Sequence, residues 1–229
     1  SATTETAFRL ANLTASKGIT RIEDTATETM RELFEKKDDA KLKEKPEDLA
    51  KELAKIAVHY RNTLEHIVWR EKQATRSVTK LAENPELTAL INRLCSDIAN
   101  QSQQKLTRLE ETLDFIAKTQ KITIPAKIDE TATETELKKL IPKRQFKGTL
   151  AFSILKDALG EKELEWYQEI YDKEADFGKK SAEYLNIMDG KRTAHDILKT
   201  VSAEYGETNP EQALKFLRDL EKAKLLTFQ

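Results

Sequence analysis

The sequence predicts a mainly α protein: a long antiparallel helical hairpin followed by a C-terminal winged-helix-like module. Three observations carry that prediction. Only six of the 229 residues are Gly while 34% are charged, a pairing typical of long helices rather than of sheets and tight turns. Apolar residues recur at spacings of three and four over stretches free of internal Gly and Pro, which is the helical period. An Asn-Pro-Glu start, a capping side chain followed by proline at the first helical position, occurs at Asn84-Pro85-Glu86 and again at Asn209-Pro210-Glu211.

Two short amphipathic helices open the chain on this reading, about Thr4–Lys17 stopped by Gly18, then about Glu23–Lys36 with Thr20 and Glu23 in capping-box spacing. Residues 36–46 are nearly all Lys, Asp and Glu, too polar to bury, and read as a solvated connection. From Pro46 the apolar line Leu49, Leu53, Ile56, Tyr60, Leu64, Ile67, Val78 and Leu81 predicts a helix over 46–82. A second runs from Pro85 along Leu87, Ile91, Leu94, Ile98, Leu106, Leu109, Leu113 and Ile116, with the polar run Gln101-Ser102-Gln103-Gln104 in its middle. So short a connection folds the two back on each other as a hairpin (46–119) roughly 50 Å long at about 1.5 Å per residue. It reads as a bundle core, or as a projecting arm that pairs with a partner.

The alternation in Lys121–Ile128 around Pro125 suggests an extended crossing segment or edge strand, and a short helix is expected over about Thr133–Ile141. Pro142-Lys143-Arg144-Gln145-Phe146-Lys147-Gly148 carries three positive charges and no negative one; it reads as a surface loop. Helices follow over Thr149–Leu159, stopped by Gly160, and over Glu161–Met188, with a break near Gly178. Thr193 and Asp196, in capping-box spacing, open a helix that Gly206 ends; the helix from Pro210 precedes a strand candidate, Leu225-Leu226-Thr227-Phe228. Helix, turn, helix and strand make the winged-helix-like outline. The expected domains are thus 1–120, a linker over 121–148, and 149–229. The pentapeptide Thr25-Ala26-Thr27-Glu28-Thr29 recurs as Thr131-Ala132-Thr133-Glu134-Thr135, and both copies read as helix entries.

Charge is balanced, 39 Lys and Arg against 40 Asp and Glu, whereas nucleic-acid and anionic-membrane binders carry a basic excess. The helix from Pro210 sets Lys215, Arg218 and Lys222 against Glu211, Asp219 and Glu221, leaving no net charge with which to release counterions from a duplex. DNA binding is therefore the weakest of the binding options. No run approaches the length of a membrane span, and the start has neither the basic nor the apolar block of a signal peptide.

No catalytic, metal or cofactor constellation is legible. His59 and His66 are seven residues apart on one helix, about 10.5 Å along its axis, too far to chelate as an i, i+4 pair. His195 sits in a first helical turn and reads as a surface residue. Cys95, among Ile91, Leu94 and Ile98, reads as a core residue. No phosphate-cradling glycine loop, nucleophile elbow or paired Cys motif occurs. The densest aromatic stretch is Trp166, Tyr167, Tyr171, Phe177 and Tyr184, which reads as core or interface. Lys143, Arg144, Lys147, Trp166, Tyr167, Tyr171, Leu225, Leu226 and Phe228 form the candidate interaction surface.

The stretch Tyr184-Leu185-Asn186-Ile187-Met188-Asp189-Gly190-Lys191-Arg192-Thr193, with Val201-Ser202-Ala203-Glu204-Tyr205-Gly206 after it, resembles the C-terminal extension of a subset of family twenty-eight metallopeptidases, di-zinc aminopeptidase-like enzymes. Pro142–Gly148 is similar to a segment that precedes this extension, with Thr149 where a proline is common. Over 142–229 the resemblance implies a non-catalytic portion of such an enzyme: scaffolding, with its own catalytic domain or a homo-oligomer partner as the contact. The family's zinc ligands lie in an α/β domain that nothing here matches, so no metal or catalytic residue is carried over. The same outline is similar to the peptide chaperone of pyrroloquinoline-quinone biosynthesis, which implies peptide capture along a terminal strand and helix.

Overall fold

A computed structural model describes residues 2–148, 150 and 152–229, so the helix start expected at Thr149 lies outside the described residues. The chain divides into two units, Ser1–Ile128 and Asp129–Gln229. The stretch 121–148 is therefore not a separate linker: its first eight residues group with the first unit and the rest with the second.

The first unit is three long helices. α1 spans Ala2–Asp38, α3 Pro46–Ser77 and α4 Pro85–Gln120; α2 is a single turn, Ala40–Lys43, between the first two. The predicted hairpin is α3 and α4, joined through a 3-10 turn at Val78–Leu81. Asn84 caps α4 as expected, its side chain accepting from Leu87 N at 3.0 Å. The solvated connection contains α2, which starts where the Asp39 carboxylate accepts from Lys41 N at 2.8 Å and Leu42 N at 3.4 Å. Lys121–Ile128 forms no strand.

The two opening helices are one. α1 runs through Gly18, which is buried, and Thr20 is an exposed residue in mid-helix rather than a cap. Buried positions explain the continuity: 7, 11, 15, 18, 22, 26, 29 and 33 fall at steps of four, four and three along all of α1. α3 keeps the same rhythm through Leu49, Leu53, Ile56, Tyr60, Leu64, Ile67, Glu71 and Thr75, and α4 through Leu87, Ile91, Cys95, Ile98 and Ser102. An eleven-residue repeat, about 3.67 residues per turn, stays close to the natural helical period, so a seam of this kind holds long, nearly straight helices together.

α1 contributes the small side of that seam, Ala7, Ala11, Ala15, Gly18 and Ala26. A Cβ on Gly18 would stand 2.9 Å from both Cβ and Cγ of Glu71 on α3. Glu71 is 5% exposed and accepts from Arg21 of α1 at 2.6 Å and from the neighbouring Arg70 at 3.2 Å. A buried carboxylate needs such partners.

The second unit holds α5 (Ala132–Leu137), β1 (Pro142–Arg144), α6 (Phe152–Leu159), α7 (Glu161–Lys173), α8 (Phe177–Ile187), α9 (Ala194–Tyr205), α10 (Pro210–Lys222) and β2 (Leu226–Phe228). The strand candidate at the end forms β2, and it pairs antiparallel with β1 in the register Pro142↔Phe228, Lys143↔Thr227, Arg144↔Leu226. The run 142–148, read as a loop, thus begins with a strand, and proline is tolerated at its first residue. The expected break near Gly178 is present at Glu174–Asp176, with Gly178 itself helical. α9 and α10 precede β2, whose partner strand comes from before α6. Leu137, Leu155, Tyr167, Tyr184, Ile197, Val201, Phe216, Leu217 and Leu220 are buried together as the unit's core.

Gly18→Ala should destabilise the first unit. Helical propensity favours Ala by about 1 kcal/mol, but the clash is with atoms next to the α3 backbone, and overpacking there costs about 1–3 kcal/mol. Urea unfolding is expected to show a lower midpoint with an unchanged slope.

Candidate functional site

Two sequence stretches far apart in the chain meet at the two-stranded sheet. Lys143 of β1 bridges to Asp189, and Gly190 N donates to Pro142 O at 3.2 Å. Gly190 has φ +74, and a Cβ there would lie 3.2 Å from the Lys143 side chain. The Asp189 carboxylate accepts from Lys191 N at 2.8 Å and Arg192 N at 3.1 Å. Its partial burial works against ionisation, yet these amide donors hold its carboxyl below the ordinary value. On the far side of β1, Gln145 N donates to Leu225 O at 2.9 Å and the Gln145 side chain to Thr227 Oγ1 at 2.8 Å. The Asp189-Gly190 turn, β1 and β2 are therefore one joint.

The aromatic stretch folds over this joint's core. Tyr167 stands edge-on to Trp166 at 4.7 Å, and Phe177 packs edge-on to Tyr171 at 5.2 Å. Tyr167 donates its hydroxyl to Asp219 at 2.9 Å. Asp219, 1% exposed, also accepts from Lys215 at 2.8 Å, and Lys215 reaches Glu163 at 2.8 Å while lying over the Trp166 ring at 4.7 Å. Burial opposes the charge on Lys215, but the two carboxylates raise its pKa above the ordinary value. Burial first, then the Asp219 charge, pushes the Tyr167 phenol far up. This network ties α7 to α10 through the core.

The same pairing disposes of the cations on α10. Lys215 is held as described, Arg218 pairs with Glu136 at 2.7 Å and Glu221 at 2.9 Å with its guanidinium over the Phe228 ring, and Lys222 lies 3.5 Å from Asp219. All three face carboxylates of their own unit.

Of the nine candidate surface residues, Tyr167 and Leu226 are core and leave the surface: the first is drawn in by its bond to Asp219, the second by the register that turns it inward opposite Arg144. Trp166, Leu225 and Phe228 are half-buried against that core. Lys143 and Lys147 are exposed. Arg144 and Tyr171 come together on one cavity of about 110 Å³, walled also by Leu150, Gly178, Ser181, Leu185 and Phe216. Ser181 and Gly178 carried no sequence signal of a site. The sequence marked Gly178 only as the place of a helix break, whereas a Cβ on it would lie 3.1 Å from the Tyr171 ring.

His59 touches Thr63 Oγ1 at 3.5 Å and His66 packs on Trp69 at 6.1 Å. Among the described residues no three His, Cys, Asp or Glu side chains converge as metal ligands, and no helix is long and apolar enough to cross a membrane. Cys95 is buried, as its spacing implied. His195 is buried, not a surface residue, because its helix turns that face onto the core. In the first unit, Ala57, Arg61, Leu113, Ala117, Ile122 and Ile124 border an open groove of about 470 Å³ beside the chain after α4. Compared with protein-family models, curated proteins and solved structures, the chain matches none.

Removing the Asp219 carboxylate with Asp219→Ala is expected to cost about 1–3 kcal/mol, since it leaves the Tyr167 hydroxyl unpaired and Lys215 with Glu163 alone; Tyr167→Phe should cost about 1 kcal/mol. Denaturant titration in a Trp69→Phe background, with Trp166 reporting on the second unit, checks both.

His195 sets a pH dependence. Burial, then Lys199 and Lys138, lower its pKa from 6.5 against the pull of Glu134 and Asp196. The unfolded chain takes up a proton near 6.5 that the folded unit refuses, so stability falls as pH drops below that value and is unaffected above it. His195→Gln should flatten this dependence, with wild type losing more stability than the variant between about pH 7.5 and about pH 5.

Proposed function

We propose that the chain is a non-catalytic accessory portion of a di-zinc aminopeptidase-like protein, acting as scaffolding that makes subunit contacts or shapes access to a catalytic domain. The observation that supports this reading is the joint at the sheet. The residues of the resemblance, Pro142–Gly148 and the Asp189-Gly190-Lys191-Arg192-Thr193 turn, contact each other through backbone hydrogen bonds and a glycine with positive φ. Such residues do architectural work. Thr193 continues the pattern, its hydroxyl accepting from Asp196 N at 3.1 Å and donating to the Asp196 carboxylate at 2.7 Å to start α9. Asp189, Gly190 and Thr193 are each explained by the turn and cap they form, without a substrate.

Peptide capture along the terminal strand is less well supported. The edge of β2 that faces β1 is occupied by the chain's own Pro142–Arg144, so a peptide would have to displace it. Nucleic-acid binding through α10 finds no support in cations already paired within the unit.

Incubated with zinc, the chain is expected to leave leucine p-nitroanilide uncleaved; robust turnover overturns the non-catalytic reading. The coding sequence adjoining this segment is expected to specify an α/β domain with His, Asp and Glu zinc ligands, and its absence from the parent gene overturns the aminopeptidase assignment.

A further inference from the structure

The cavity beside β1 has features that packing alone leaves without a role. Ser181, on α8, is 7% exposed, lines the cavity, and its hydroxyl has no hydrogen-bond partner among the described residues. A buried hydroxyl left this way is costly, and a buried helical serine can satisfy itself by bonding back to the carbonyl four residues earlier, which Ser181 does not do. Arg144, on the same cavity, has no carboxylate partner among the described residues; its guanidinium lies 5.2 Å over the Phe146 ring. It stands in the run Pro142–Gly148, where every charge is positive, so the local field favours an anion. Leu150, Leu185 and Phe216 make apolar walls, and the Tyr171 ring packs closely on Gly178.

Size and charge together select the occupant. A cavity of about 150 Å³ admits a benzene, so one of about 110 Å³ takes a single branched aliphatic side chain and no more. The cation beside it asks for a carboxylate within one residue's reach of that side chain. The last residue of a polypeptide has both on one Cα, whereas an acidic side chain would drive its charge into the apolar end. Ala182 and Asn186, exposed on the cavity's border, leave a way out for the chain that precedes such a residue.

We propose that this cavity binds the C-terminal residue of a partner polypeptide, its branched aliphatic side chain against Leu185 and Phe216 and its terminal carboxylate on Arg144, with the Ser181 hydroxyl donating to it. A planar guanidinium meets a carboxylate with two parallel hydrogen bonds, which gives the site its selectivity for a free chain end. The proposal is independent of the scaffolding reading: it concerns one cavity of the second unit, and zinc-dependent turnover bears on it in neither direction.

The test is a calorimetric and NMR titration of the full chain with acetyl-Ala-Ala-Leu as the free acid, the same peptide as its C-terminal amide, and isovalerate. The free acid is expected to saturate, shifting the amide signals of Gly178, Ser181 and Leu185, with the C-terminal amide about ten- to a hundred-fold weaker. Arg144→Gln should weaken the acid by a similar factor, and Arg144→Lys, which keeps the charge and loses the fork, should fall between. Ser181→Ala should weaken it several-fold while leaving thermal unfolding unchanged or raised, and Ser181→Leu, which fills the cavity, should abolish it. Absence of saturable binding, equal binding of acid and amide, or isovalerate binding as tightly as the peptide would each overturn the proposal. Should Arg144→Gln fail to fold, the acid-against-amide comparison on the wild-type chain decides the matter alone.

Discussion

The close approach of α1 to α3 is the constraint on which the first unit rests. Helices can lie this near only where one of them offers little more than backbone, and α1 does so with alanines and Gly18. The larger residues on α3 and α4, among them Leu53, Tyr60, Leu64, Ile98 and Leu109, fill the space that the small residues leave, and all are buried. Gly18 costs α1 local helical stability and returns it as contact with Glu71, which in turn carries Arg21. Tyr60 marks how dry this seam is: burial pushes its phenol up to about 12.

In the second unit a single carboxylate plays the comparable part. Asp219 fixes Tyr167, Lys215 and through them the position of α7 against α10. With Tyr167 committed inward, Trp166 and Phe177 take up the places around it, and Tyr171 is left at the rim, where it borders the cavity with Arg144. The candidate site is thus a by-product of how the core is satisfied. Its chemistry comes from two groups the core does not use, the Arg144 guanidinium and the Ser181 hydroxyl.

Much of the helical plan was legible from spacing and caps. Asn84, Thr193 and Asn209 each start a helix where the cap-plus-proline or capping-box pattern placed them, because these side chains satisfy orphan amides locally, whatever surrounds them. The site was only half legible. Arg144 and Tyr171 stood out by charge and by aromatic ring, but nothing in the neighbourhood of Ser181 separates it from any other helical serine, and no spacing brings residue 144 to residue 181. The sheet was likewise visible only as one candidate strand, since a three-residue partner beginning with proline carries almost no pattern.

The pentapeptide shared by 25–29 and 131–135 shows where the division falls. At Thr131 it caps α5, with Thr131 and Glu134 exchanging bonds in a capping box. At Thr25 the same five residues lie inside α1, Thr27 Oγ1 bonded back to Glu23 O at 2.9 Å and Ala26 and Thr29 buried in the seam. By itself the sequence determined the helical class, the local caps, the hairpin of α3 and α4 and the balance of charge, because each follows from interactions within a few residues. Only the tertiary structure decided that α1 passes unbroken through Gly18, that β1 exists, and that Arg144 and Ser181 border one cavity. Those outcomes depend on the burial of surfaces contributed by residues far apart in the chain, a free energy no local stretch contains.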